Sequence, residues 1–173
     1  QQLMHEREVV VAADGFQLPG TLTLPLSASA DKKVPCVVLV HGSGPNDRDE
    51  TLGPNKPFRD LAWLLAEEGI ATLRYDKRTK VYGARYIPEG READYDVEAV
   101  DDAVAIVEQV ATYPEIDAER IYLLGHSLGG TLAPRIAQRS GRLAGVILLA
   151  GAARPLEDLL IEQVEYINSL SPS

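Results

Sequence analysis

The chain has 173 residues, 45% of them hydrophobic and 25% charged, with a formal net charge of −9. That is ordinary globular composition, enough for one domain with a real core. Its acidity repels phosphate backbones and anionic lipid, so nucleic acid and membrane surfaces are not expected partners.

Other global features constrain little. Cys36 is the single cysteine, so no internal disulfide forms. No apolar run reaches membrane-spanning length. The opening Gln1-Gln2-Leu3-Met4-His5 has no signal-peptide pattern, and the compartment is not set by the sequence.

In chain order, Arg7 to Ala12 is β-rich and is followed by the turn pair Asp14-Gly15. Phe16 to Leu18 and Thr21 to Leu24 follow, interrupted by Pro19-Gly20, which predicts an antiparallel hairpin at a sheet edge. Ser27 to Lys33 is a polar loop, and Pro35 to Val40 is an unbroken apolar run, the mark of a strand buried on both faces. Pro57 opens a helix with Leu61, Leu64 and Leu65 on one face, closed by Gly69. Ile70 to Tyr75 is the next strand, and Asp76 to Ala93 a long polar loop.

From Asp94, Val97, Val100, Val104, Val107 and Ala111 recur at helical spacing, until Tyr113-Pro114 ends the helix. Ile121 to Leu124 is a short buried strand, Leu128 to Arg139 a helix, and Ala144 to Ala150 another buried strand. Leu156, Leu159, Leu160, Val164 and Ile167 mark a last amphipathic helix. Strands alternating with helices predict a mostly parallel α/β sheet covered on both faces, in one domain over residues 1–173.

Gly125-His126-Ser127-Leu128-Gly129 matches G-x-S-x-G. The pattern alone arises by chance, but here a buried strand precedes it and a helix follows it. Such a turn lifts a serine hydroxyl clear of the sheet, and the flanking glycines remove side chains that would clash. Ser127 is thereby the candidate nucleophile, and the Leu128 N–H, at a helix N-terminus, a candidate oxyanion donor. The competing reading makes Ser127 a helix N-cap.

Val40-His41-Gly42-Ser43-Gly44-Pro45 follows the first buried strand, where this type of site draws its second oxyanion donor. The Ser43 N–H is the candidate, with Gly44 the alternative. His41 closes a buried strand, a place that suits hydrogen bonding to loop backbone more than general-base duty. His126 should point away from Ser127, and His5 should lie at the surface.

Val40 through Glu50, Asn55-Lys56-Pro57-Phe58, Arg74-Tyr75-Asp76-Lys77-Arg78, Gly125 through Gly130 and Ala150 through Pro155 together resemble bacterial α/β-hydrolase serine esterases. The resemblance is to the dienelactone-hydrolase-like and prolyl-oligopeptidase-like branches and covers nearly the whole chain. It implies the α/β-hydrolase fold with an N-terminal hairpin, and carboxylesterase activity on a small-molecule ester, with no metal or organic cofactor. It carries over Ser127 as nucleophile, with Leu128 and Ser43 as oxyanion donors. Serine at the elbow disfavours the cysteine chemistry of dienelactone hydrolases proper and the aspartate chemistry of haloalkane dehalogenases. Relatives of this kind are often exported.

The charges Asp47, Arg48, Asp49, Asp76, Lys77 and Arg78 lie in two loops and are expected to pair and brace the oxyanion loop, with Asp47 and Arg78 as the leading couple. Gly83 to Gly90, with Tyr82 and Tyr86, are expected to line one wall of the site if the long loop folds over Ser127.

The triad of this fold runs Ser, acid, His, yet no histidine follows Ser127. The expectation is an incomplete hydrolase domain that lacks the last strands, with residues 155–173 starting a cap helix. A thioesterase, a peptidase and a non-catalytic binding module remain alternatives. The last sheet edge or the last helix would then offer pairing surfaces.

Overall fold

Strand β3 (Val34–Val40) is buried at every position because apolar side chains leave both of its faces. Cys36, Val38 and Val40 join one hydrophobic cluster, and Val37 and Leu39 the other. Such a strand must sit inside a sheet that is covered twice. The computed structural model describes residues 4–13 and 15–149.

Among those residues six strands form one sheet in the order β1-β2-β4-β3-β5-β6. Strands β1 (Met4–Ala13) and β2 (Phe16–Pro25) make the antiparallel hairpin, and β2 continues antiparallel onto β4 (Ala71–Tyr75). Strand β3 runs parallel to β4 on one side and to β5 (Ile116–His126) on the other, and β5 runs parallel to β6 (Gly145–Leu149).

Helix α1 (Pro57–Glu67) covers one face with Phe58, Leu61 and Leu65 packed on Val37 and Leu39. Helices α3 (Asp101–Val110) and α4 (Leu128–Ser140) cover the other through Ile106, Val107, Leu132 and Ile136. Their apolar stripes at three- and four-residue spacing make this the favourable arrangement.

Three elements differ from the sequence expectation. Strand β5 begins at Ile116, not Ile121: a register shift between Val34 and Cys36 takes up residues 117 to 120, three of them charged, and lets Ile116 pair with Val34. Pro19-Gly20 does not interrupt β2, which pairs with β1 through Val10 and Val9 at those positions. The loop after β4 contains α2 (Arg78–Tyr82) and a 3-10 turn at Gly83–Arg85, and a π-type turn at Asp96–Val100 leads into α3. Asp14 and the expected cap helix over 155–173 lie outside the described residues, as does the pairing surface proposed on that helix.

The chain leaves β3 for β4 on one side and reaches β5 on the other, so the strand order reverses between β3 and β5. The crevice beyond the carboxyl ends of strands at such a reversal is where open α/β sheets place ligands. Here it lies between the loop after Val40 and the turn after His126.

Candidate active site

Ser127 links β5 to α4 with φ 56° and ψ −114°. A non-glycine residue there is strained by about 1–3 kcal/mol and needs its surroundings to hold it. Its N–H donates to Leu149 O at 3.0 Å, and its carbonyl accepts from Thr131 N at 3.1 Å. The turn closes only without side chains at two neighbours. A Cβ at Gly125 would strike the Gly129 carbonyl, and one at Gly129 would strike the carbonyls of Val40 and His41. The Ser127 side chain makes no capping hydrogen bond, so its hydroxyl is not spent as an N-cap. Leu128 opens α4, where the backbone N–H has no intrahelical acceptor and the helix end carries partial positive charge.

The loop after β3 is pressed against this turn. A Cβ built on Gly42 would sit 3.4 Å from Ser127 Cβ and 3.8 Å from Ser127 Oγ. Gly42 is held at both ends. Its N–H donates to Glu50 Oε2 at 3.0 Å, and its carbonyl accepts from Lys77 Nζ and Asn46 Nδ2, each at 3.0 Å. The Gly42 N–H is therefore committed, whereas the N–H groups of Ser43 and Gly44 have no acceptor among the described residues.

His41 is buried, and its Nε2 lies 2.6 Å from Tyr75 O. Burial lowers its pKa to about 4, so the ring is neutral at pH 7. His126 Nδ1 lies 2.6 Å from Glu50 Oε1. His5 is exposed on β1, opposite Leu24.

The expected couple Asp47 with Arg78 does not form. Asp47 closes its own turn, accepting from Thr51 N at 2.8 Å and Thr51 Oγ1 at 2.6 Å. Arg78 is fully buried and forks onto Asp102 of α3 at 2.9 and 2.6 Å, with its guanidinium over the Phe16 ring. Being the first residue of α2, it is directed at α3 and not back at the 47–51 turn.

Other pairs join the two charged loops. Arg48 NH2 reaches Asp76 Oδ2 at 3.0 Å, Arg74 NH1 reaches Asp49 Oδ1 at 2.6 Å, and Lys77 N donates to Asn46 O at 3.1 Å. Burial opposes the Arg48 charge, but hydrogen bonds to Asp76 and Glu8 outweigh it and raise its pKa.

Glu50, Glu98 and Asp102 were not singled out by sequence reasoning. Glu98 lies in the π-type turn that leads into α3 and Asp102 in the first turn of α3, four residues on. They meet the consecutive cations Lys77 and Arg78. Glu50 carries a positive φ of 52° while 3% exposed, a combination invisible in sequence.

The two tyrosines of the long loop separate. Tyr86 lines an open groove of about 380 Å³ with Ala93, Asp94, Tyr95 and Glu98, beside Lys77. Tyr82 instead packs edge-on against Phe16 and accepts from Gln17 N. No group of three His, Cys, Asp or Glu that could hold a metal occurs among the described residues, and burial pushes the Cys36 thiol pKa up.

Residues 37–171 match the Alpha/beta hydrolase family. The chain belongs to that family. It is 44% identical over 153 residues to Esterase EstD of Thermotoga maritima, an alignment that takes in 88% of this chain and 35% of that protein. The chain thus spans about a third of this relative's length. Among solved structures, esterase Est22 superposes with a TM-score of 0.60 at 25% identity over 87% of this chain and 45% of its own. A hypothetical protein, PA2218 from Pseudomonas aeruginosa, superposes with a TM-score of 0.67 at 24% identity, over 86% and 43% of the respective chains. The family membership accounts for the mostly parallel sheet, its hairpin and the strand–turn–helix at Ser127.

Proposed function

We propose that the whole protein is a serine carboxylesterase acting on small acyl esters, with Ser127 as nucleophile. The observation that carries this reading is Ser127 at positive φ between β5 and α4, its hydroxyl making no capping hydrogen bond and Gly42 so near that a Cβ there would lie 3.8 Å from Ser127 Oγ. Holding a serine in a strained turn costs stability that a bystander would have no reason to keep. The 44% identity to an esterase supports the ester as substrate class.

In this mechanism Ser127 Oγ attacks the ester carbonyl while a histidine takes its proton. The tetrahedral oxyanion is held by the N–H groups of Leu128 and Ser43, both without a partner in the structure described. The alcohol leaves with the proton returned by the histidine, and water then hydrolyses the acyl-enzyme by the same route. His41 and His126 are engaged by Tyr75 O and Glu50. In the triad order of this fold the acid and the base follow the nucleophile, so both are assigned to residues after Ser127 in the whole protein.

Hydrolysis of p-nitrophenyl acetate and butyrate by the whole protein tests this. Ser127→Ala should lower kcat by about 10⁴-fold or more while the far-UV spectrum stays native. Turnover that survives the substitution would reject the assignment. A folded wild-type protein with no turnover on any acyl ester would instead favour a non-catalytic hydrolase-like module.

A further inference from the structure

We propose that Lys77 is a positioning residue of the oxyanion hole: its ammonium orients and polarises the Gly42–Ser43 peptide, whose N–H faces the developing charge. The inference rests on the serine-esterase reading and goes beyond it by assigning the origin of one donor's strength.

The geometry is direct. Lys77 Nζ lies 3.0 Å from Gly42 O and 2.9 Å from Glu98 Oε1, and the side chain is 2% exposed. A peptide is planar and trans, so the Ser43 N–H points opposite to the Gly42 carbonyl and away from Lys77. A full positive charge on that carbonyl draws electron density along the amide and strengthens the donor at its other end. The low polarity of a buried site amplifies the effect.

Loop rigidity does not require this cation. Gly42 O already accepts a neutral hydrogen bond from Asn46 Nδ2, and the Gly42 N–H is fixed by Glu50. Lys77 also ties to the loop through its backbone N–H, which donates to Asn46 O. Burying an ammonium costs several kcal/mol unless it is well paired. A second, charged donor on a carbonyl that is already satisfied adds polarisation more than placement. Glu98 holds the ammonium at the carbonyl, and a Cβ built on Gly42 would lie 3.4 Å from Ser127 Cβ, which places this peptide beside the candidate nucleophile.

The test compares Lys77→Met and Lys77→Arg in the whole protein, with Ser127→Ala alongside. Lys77→Met is expected to lower kcat about 10- to 100-fold, part of the loss seen when an oxyanion donor is removed outright, with KM within about threefold. The inhibition constant of an alkyl boronic acid, a tetrahedral analogue, should rise by the factor by which kcat/KM falls. Lys77→Arg should recover most of kcat. A folded Lys77→Met enzyme with wild-type kcat, or one with reduced kcat but undiminished boronate affinity, would overturn the proposal. If Ser127→Ala itself retained turnover, the serine-esterase reading would fail first, so the two failures are distinguishable.

Should Lys77→Met not fold, Lys77→Gln keeps a neutral donor to Gly42 and is read in the same way. In the wild type, the Ser43 amide proton should move downfield when the boronate binds, and an unmoved Ser43 resonance would also overturn the proposal.

Discussion

Glu50 Oε1 lies 2.6 Å from His126 Nδ1, while Glu50 Oε2 accepts the Gly42 N–H at 3.0 Å. One buried carboxylate thus joins the residue before the candidate nucleophile to the loop that carries the candidate oxyanion donor. Glu50→Ala removes the acceptor of the Gly42 N–H and the close contact with His126, and should cost about 1–3 kcal/mol in urea unfolding. Glu50→Gln, which can still accept from the Gly42 N–H, should cost less. A loss below about 1 kcal/mol for the alanine variant would show that water or another group replaces the carboxylate.

Arg78 and Asp102 form a buried bidentate pair, whereas Asp47 closes a turn at the surface. Asp102→Ala removes the carboxylate partner of a buried guanidinium and should cost about 3–5 kcal/mol. Asp47→Ala should cost about 1–2 kcal/mol, the scale of two partly exposed turn-closing hydrogen bonds. Thermal unfolding of the two variants measures the difference, and equal losses would contradict the pairing described.

His41 makes stability pH-dependent. Burial lowers its pKa from 6.5 to about 4. Between those values the unfolded chain binds a proton that the folded chain refuses, so stability is whole above about pH 6.5 and declines as the pH falls toward 4. The decline amounts to about 3 kcal/mol at its fullest. His41→Gln keeps a donor for Tyr75 O but does not titrate. Its unfolding free energy should be flatter over this window than that of the wild type, and an unchanged slope would contradict the assignment.

Gly129→Ala places a methyl group against the carbonyls of Val40 and His41, which are backbone and cannot turn aside. The variant should lose about 3 kcal/mol or more, or fail to fold. Near-normal stability, measured by urea unfolding, would mean that the turn and β3 can separate.

Much of this architecture is legible in the residues themselves. The run from Pro35 to Val40 reads as a doubly buried strand because nothing polar interrupts it, and Gly125 to Gly129 reads as a sharp turn because glycine alone fits between close backbones. Family membership bears out the fold expected from these features.

The electrostatic partners were not legible. Lys77 meets Glu98 and Arg78 meets Asp102 across 21 and 24 residues, pairings set by how α3 docks beside the β4 loop and not by local spacing. Asp47 and Arg78 lie in loops that follow neighbouring strands, but α2 turns Arg78 toward α3. Glu50 is not legible in sequence because a charged residue beside Asp49 looks solvated, while its backbone turns the side chain inward. The start of β5 is hidden for the converse reason: Asp117, Glu119 and Arg120 are charged, yet a register shift carries the strand past them.

The central claim is that Ser127 is the nucleophile, and covalent labelling tests it most directly. The whole protein is treated with a fluorophosphonate, and the adduct is located by peptide mass spectrometry, with hydrolysis of p-nitrophenyl acetate followed in parallel. One phosphonyl group on Ser127, with loss of hydrolysis in proportion to labelling, is the predicted result. Labelling at another residue, or hydrolysis that persists once Ser127 is modified, would contradict it.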